Sequence, residues 1–283
     1  MDQVFPLADR QGSSNKAPLV SVVMPAFNVE QYIAEAIESI LSQSFSDFEL
    51  IIVNDGSSDR TLNVIEDYAR RDPRICYRSN SQNLNAAVAA NIGLTLARGI
   101  YIARMDADDI AVPQRLEKQV RFLESHPEVG VVGGAMMLMT EDKRILAKRE
   151  YRLTNEAIQK RIFKYSPFCH ASIMFRKSIL DRVGLYDPRY RTAYDYDLFL
   201  RIGLVTKFAN LPELLYWYRI RRVASIDMRN REFRTIEIRR KYFQVYGATL
   251  SDRTYNVLHQ FSMYVFPSRF KAWMFMKVRE FII

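Results

Sequence analysis

Three carboxylates, Asp106, Asp108 and Asp109, fall within four positions of the stretch "RMDADD", residues 104–109. Directly before them stands "GIYIA", residues 99–103, a short apolar run bounded by Gly that reads as a buried strand. Negative charge gathered at a strand end is unfavourable unless a cation or a shared proton offsets it. Hard oxygen ligands suit Mg²⁺ or Mn²⁺ better than zinc. Magnesium-like ions bind through one or two carboxylates and complete their shell with water and substrate phosphate. The stretch therefore points to a divalent ion carrying a phosphate. The competing reading is an acidic helix N-terminus, since Asp109 precedes "IAVPQRLEKQV" and helix starts favour Asp.

The elements that would position this edge are legible upstream. "LVSVVMP" (19–25) is an apolar run rich in Val. In residues 29–43, Ile33, Ala36, Ile37, Ile40 and Leu41 recur at helical spacing. "FELIIVNDGSSD" (48–59) is a strand running into a turn, "RTLNVIEDYARR" (60–71) a second helix and "RICYR" (74–78) a short strand. "NAAVAANIGLTLARG" (85–99) is an Ala-rich helix, with Gly99 expected as its stop. Strand–helix alternation with fully apolar strands predicts a parallel sheet covered on both faces. Ligands bind such sheets at the carboxyl ends of the strands. "PAFN" (25–28), "NDGSSD" (54–59) and "RMDADD" then converge on one crevice. Neither G-x-G-x-x-G nor a P-loop follows the first strand, which argues against a dinucleotide-binding fold.

Downstream, a helix opens near Pro113, "VGVVGGAMMLMT" reads as a strand, and Thr154 is placed to cap "NEAIQKRIFKY". "ASIMFR" reads as a strand and "KSILDRVG" as a helix. "AYDYDLFLRIGL" begins a helix with Asp195 and Asp197 near its start, and "LPELLYWYRIRR" ends the sheet region. Everything from about Asp227 reads as helix.

The 283 residues are 48% hydrophobic and carry a net charge of +9. The whole excess lies from Arg219 onward, and the first 218 residues are balanced. A basic tail suggests an anionic surface, membrane or nucleic acid, or else a solvated helical face. "SRFKAWMFMKVREFII" (268–283), with Trp273, has the mixture suited to a helix lying in a membrane interface or packed on the catalytic domain or a second subunit. No apolar run approaches the roughly 20 residues of a membrane span. Residues 1–18 read as a flexible leader without a secretory h-region. Cys76 and Cys169 are only two, which argues against a disulfide scaffold and for a reducing, cytoplasmic setting.

The series "LVSVVMPAFN…VNDGSSD…GIYIARMDADD" resembles the family 2 glycosyltransferases of GT-A fold over residues 19–219, and "RMDADDIAVPQRLEKQV" resembles their bacterial polysaccharide branch. The resemblance implies an α/β Rossmann-like, mostly parallel sheet with helices on both faces and a C-terminal helical extension. The catalytic domain would span 19–226, with a nucleotide-binding half (19–110) and an acceptor half (111–226), followed by a basic extension (227–283). It implies transfer of a sugar from a nucleotide diphosphate, UDP by first expectation, to a glycan or lipid-linked hydroxyl with inversion. Pro25, Ala26, Phe27, Asn28 and Glu30 would wrap the nucleoside, with Phe27 against the base. Asp55 would meet the base. Asn83, Arg104 and Ala107 would line the donor, Asp106 would face the ribose, and Asp108 would hold Mn²⁺ or Mg²⁺ on the diphosphate. Asp195 would take the acceptor's proton.

The sequence departs from the family pattern in places. Tyr194 stands where the family has Glu before the base. "NLN" (83–85) and Ala90–Asn91 replace the usual basic contact near the nucleotide. Arg221 and Arg222 follow "YR" where the family often has His, and either would grip the leaving diphosphate. His170, beside apolar residues, is a secondary candidate for donor or acceptor contact, and Trp217 and Tyr218 could line a sugar site. The rivals are a nucleotidyltransferase, a nucleic-acid-binding protein and an inactive GT-A-like binder. "PAFN" lacks the basic residue a triphosphate needs, and the tail carries no nucleic-acid motif, so no nucleic-acid partner is expected. Peripheral contact with the inner face of the membrane through the C-terminal helix, or a homodimer, is the expected association.

Overall fold

The computed structural model describes residues 16–221 and 225–265. Residues 1–15, Arg222 and the segment 268–283 with Trp273 lie outside the described residues. The first part alternates as read: β1 (Val20–Ala26), α1 (Ile33–Leu41), β2 (Phe48–Asn54), α2 (Thr61–Arg71), β3 (Ile75–Ser79), α3 (Ala86–Leu96) and β4 (Tyr101–Arg104). Then come β5 (Ile110–Ala111), α4 (Arg115–Ser125), β6 (Val129–Met139), β7 (Ile145–Arg149) and α5 (Asn155–Gln159). A single 3₁₀ turn (His170–Ser172) precedes β8 (Met174–Arg176), α6 (Ile179–Val183), α7 (Tyr194–Ile202) and β9 (Lys207–Arg219). Helices α8 (Ser225–Tyr242) and α9 (Leu250–Val265) complete the described chain.

One sheet runs in the order β3-β2-β1-β4-β8-β6-β9-β5, with β7 paired to β6. β3, β2, β1 and β4 are parallel neighbours. β8 enters antiparallel to both β4 and β6, and β6 and β9 resume the first direction. The chain winds outward from β1 through β2 to β3, then crosses back to place β4 on the other side of β1. That reversal opens a crevice at the carboxyl ends of β1 and β4.

The strands are buried on both faces because their side chains alternate between two apolar cores. Val20, Val22 and Met24 of β1 join Leu50 and Ile52 of β2 against Ile33, Ile37 and Ile40 of α1 and Leu116 and Val120 of α4. Val23, Ile51 and Val53 face the other way, onto Ala87, Ala90 and Leu94 of α3; the same core continues to Leu198, Phe199 and Ile202 of α7 and Ile238 of α8.

Two local expectations are corrected, and one strand was not foreseen. α3 ends at Leu96, and Gly99 serves close approach instead: a Cβ there would lie 2.6 Å from the Ser21 nitrogen of β1. "ASIMFR" begins with the 3₁₀ turn, so its strand shrinks to three residues. The hairpin strand β7 was missed because its face is exposed, with Ile145 at 57% and Leu146 at 44%, and no buried alternation marks it. The Thr154 cap forms, its hydroxyl accepting from the Ala157 N–H.

Candidate active site

The crevice has a wall, a charged edge and an opposite side. The wall is the adjoining ends of β1 and β2. The Asp55 N–H donates to the Ala26 carbonyl at 2.8 Å. The Asp55 carboxylate is 2% exposed and accepts from Asn80 Nδ2 at 2.8 Å and from the N–H groups of Leu84 and Asn85 at 3.0 Å. It thereby folds the loop 80–85 back over the strand end. Asn83 Nδ2 adds a bond to the Asp55 carbonyl at 3.4 Å. Gly56, at φ +69°, lets that loop lie close: a Cβ would meet the Gln82 carbonyl carbon at 2.4 Å. Asn28, at φ 49°, accepts from the Ser58 N–H at 2.9 Å, and Glu30 accepts from the Arg60 N–H at 2.8 Å. Pro25 and Ala26 end β1, and Phe27 beyond them leaves 44% of its surface open, an aromatic face suited to stacking on a planar ring.

The charged edge answers the question of what offsets the aspartates. Arg104, 2% exposed, ends β4 and pairs with Asp106 at 2.9 Å. Its Nε has no hydrogen-bond partner in the structure. Burial works against its charge, but Asp106 more than offsets that and the net shift is upward. Arg221 pairs with Asp108 Oδ2 at 3.0 Å. Arg219 is buried, donates through Nε to the Asp108 carbonyl at 2.7 Å and pairs with Glu35 at 2.7 Å. Both guanidinium groups lie over the Tyr32 ring, at 4.8 and 5.7 Å. Tyr216 accepts the Asp106 N–H at 3.1 Å, and Ala107 between the aspartates is buried.

Asp109 does not cap α4, whose N-cap is Gln114. It faces inward and accepts the Arg219 N–H at 2.7 Å, holding β5 beside β9. Burial, with Asp106 and Asp108 adding, pushes its carboxyl well above the ordinary range. Burial also raises Asp108, with Asp106 adding to it and Arg221 opposing. Among the described residues no three His, Cys, Asp or Glu side chains cluster as a closed metal cage. A single carboxylate beside a crevice instead fits an ion that takes its other ligands from phosphate and water.

The opposite side is the start of α7. Ala193, at φ 59°, turns the chain sharply into the helix. Asp195 follows in the first turn, and the protein around it desolvates its carboxyl. Burial raises its pKa, Arg231 of α8 opposes, and Asp106 adds to the rise, so it shares the field of the charged edge. Tyr194, in place of the family's Glu, stands in the field of Arg104 and is pushed by burial to about 12. It packs edge-on against His170 and Tyr186, with centroids 5.6 and 5.3 Å away. His170 bonds Tyr186 at 2.7 Å, and burial, with Arg104 and Arg231, holds it neutral. Asn91 ties α3 to the same segment through both Tyr186 backbone groups. Trp217 pairs in register with Ile110 of β5, and Tyr218 lies beside it on β9.

Arg104, Asp106, Asp108 and Arg221 thus make one charged edge, Asp195 lies within the field of Asp106, and Asp55 holds the loop at the neighbouring strand end. The sequence reading missed Arg219, Glu35, Tyr216 and Arg231. Arg219 had a signal, a charged residue ending an apolar strand as Arg104 does, but it was counted into the basic tail.

This sheet, with its strand-order reversal beside β1 and its acidic edge after the fourth strand, is the GT-A architecture. A model of the family described as Glycosyl transferase family 2 matches residues 21–184. Putative glycosyltransferase EpsE of Bacillus subtilis (strain 168) is 41% identical over 209 residues, which cover 71% of this chain and 73% of that protein. Amylovoran biosynthesis glycosyltransferase AmsE of Erwinia amylovora is 33% identical over 217 residues, 75% of this chain and 79% of that one. Among solved structures, S. aureus TarS 1-349 in complex with UDP-GlcNAc aligns with a TM-score of 0.62 at 19% identity, over 85% of this chain and 79% of that chain. Against a longer TarS structure the chain covers only 39% of the other molecule. Mannosyltransferase PcManGT from Pyrobaculum calidifontis, in complex with GDP-Man and Mn²⁺, aligns with a TM-score of 0.64 at 16% identity, over 93% and 81%. At such identities the solved structures speak for the fold. The family match and the curated relatives go further: the chain belongs to glycosyl transferase family 2 and is a glycosyltransferase.

Proposed function

We propose that this enzyme transfers a sugar from a nucleoside-diphosphate donor, UDP-linked by first choice, to a hydroxyl of a glycan or lipid-linked acceptor in cell-surface polysaccharide synthesis. The transfer inverts the anomeric centre in one displacement. The nucleoside lies along Pro25 to Asn28, with its base against Phe27 and near the loop that Asp55 organises. Asp106 meets the ribose. Asp108 is the protein ligand of a divalent ion, Mn²⁺ or Mg²⁺, which supplies Lewis-acid neutralisation of the diphosphate when bound. Arg221, able to leave its pair with Asp108, grips a diphosphate oxygen. The acceptor oxygen attacks the anomeric carbon and gives its proton to Asp195, while the glycosidic electrons leave with the diphosphate. The observation that carries this reading is that Asp106, about ninety residues before Asp195 in sequence, lies close enough in the fold to raise its pKa.

The acceptor's setting is read from α9. Leu250, Val257, Leu258, Phe261 and Tyr264 recur on one side of that helix and are 58–80% exposed. The helix belongs to the basic end of the chain, with Arg240 and Arg253 nearby. An exposed apolar stripe with basic neighbours suits an anionic lipid surface, with the helix lying in its plane. No helix among the described residues is long and apolar enough to cross a membrane. We place the enzyme on the inner face of the membrane by this stripe.

Calorimetric titration of UDP and of GDP tests the donor site, with Mn²⁺ and then with EDTA, in the native chain and in Asp108→Ala. Binding of UDP that needs the metal and is lost in the variant is the expected result. Metal-independent binding equal in both proteins overturns the part given to Asp108.

A further inference from the structure

We propose that helix α8 is a working part of the catalytic centre. It holds the base-bearing helix α7 in place through Asp197, which makes Lys241 and Tyr242 positioning residues for Asp195. The inference rests on the transferase reading, in which Asp195 is the base.

Asp195 and Asp197 are two residues apart, so they point to roughly opposite sides of a helix that turns about 100° per residue. One faces the crevice. The other is fully buried and faces α8. Asp197 Oδ2 accepts from Arg201 Nε at 2.9 Å, and Oδ1 accepts from Lys241 Nζ at 3.0 Å and the Tyr242 hydroxyl at 3.1 Å. A buried carboxylate is tolerated only when paired and hydrogen-bonded, and here two of its three partners come from the extension. Further contacts join the same two segments. The Tyr246 hydroxyl, just beyond α8, donates to the Leu200 carbonyl at 2.7 Å, and the Arg239 guanidinium lies 5.9 Å from the Tyr196 ring centre.

Apolar packing of Ile238 and Tyr242 against Leu198 and Phe199 would hold α7 near α8 but leave its rotation soft. Directional bonds to a charged group fix rotation as well, and rotation about the α7 axis is what aims Asp195. The chain enters the helix through Ala193 in the left-handed region, a conformation that persists only where the surroundings over-determine it. On one side Arg201 supplies that constraint, bonding the Leu185 carbonyl at 2.8 Å. On the other, Asp197 and α8 supply it. Because α8 is so fixed, it also carries Arg231 to within electrostatic reach of Asp195.

The test compares Lys241→Met, Lys241→Arg and Tyr242→Phe in the full chain, with Arg234→Gln, on the exposed side of α8, as a control for lost charge. Lys241 is 44% exposed, so its removal spares the fold where Asp197→Asn endangers it. Small misplacements of a catalytic group lower turnover steeply, so kcat falls about tenfold in Lys241→Met. The donor's dissociation constant stays within about twofold, Lys241→Arg regains most of the rate, and the control matches the native chain. Hydrogen–deuterium exchange in Lys241→Met rises in residues 193–203 and is unchanged in residues 19–104. An unaltered kcat, or a loss shared equally by kcat and donor affinity with exchange raised throughout, overturns the proposal. If the native chain releases nucleoside diphosphate from no sugar donor, the transferase reading has failed. The exchange pattern still decides whether α8 holds α7.

Discussion

At the scale of single residues, Asp195 carries the most exposed claim. If Asp195 is the base as proposed, Asp195→Asn keeps the shape and removes it, so kcat falls by about a thousandfold while donor affinity is unchanged. Initial rates under saturating donor measure the first, calorimetry the second. In that role it works ionised, so turnover falls as pH drops through its pKa. Burial raises that pKa, Asp106, Tyr186 and Tyr194 crowd the same space, and Arg231 opposes the rise. The acid limb of the kcat profile therefore lies above the ordinary aspartate range. Arg231→Gln removes the opposing charge and moves the limb to still higher pH; a limb that stays put contradicts the assignment. The family resemblance made Asp195 legible, since its place at a helix start is shared with Asp197. The sequence could not show Arg231, because nothing in a basic helix tells which of its arginines faces a carboxylate some thirty-five residues earlier.

At the scale of elements, the loop 80–85 is held by one carboxylate and one missing side chain. Asp55→Ala strips the acceptor from two backbone N–H groups and from Asn80, destabilising the protein by about 2–4 kcal/mol. Gly56→Ala forces a side chain into a left-handed position against the Gln82 backbone, with a cost of at least about 1–3 kcal/mol. Urea unfolding gives both values, and because the two changes loosen the same loop their sum overstates the double variant. UDP affinity falls in each. The alternation of β1 to β4 with α1 to α3 was open to sequence reading because apolar runs and helical spacing are local signals. β7 and β5 were not, since an exposed hairpin arm and a two-residue strand leave no periodicity. The inward role of Asp109 was out of reach for a similar reason: its partner, the Arg219 N–H, lies 110 residues away.

At the scale of the whole molecule, the basic excess divides into two uses. Arg219 and Arg221, counted with the tail, are spent on Glu35 and Asp108 inside the catalytic unit. What remains lies on α8, α9 and the segment beyond. Vesicles containing about 30% phosphatidylglycerol float the native chain, added salt weakens the association, and Leu258→Ser with Phe261→Ser abolishes it. Equal flotation on neutral vesicles, or a variant that merely shifts from dimer to monomer in sedimentation, assigns the stripe to another use. The sheet order has one more consequence. The seam between β4 and β8 joins strands about seventy residues apart, and it separates the nucleoside wall from the base helix. Chimeras spliced after Asp109 ought then to exchange acceptor preference while inheriting donor preference. Among the described residues three ion pairs cross that splice, Glu35 with Lys143 and with Arg219, and Asp108 with Arg221. Recombination between relatives is therefore filtered by these partners, and a hybrid that brings its own late half must bring arginines that recognise the acids of its host.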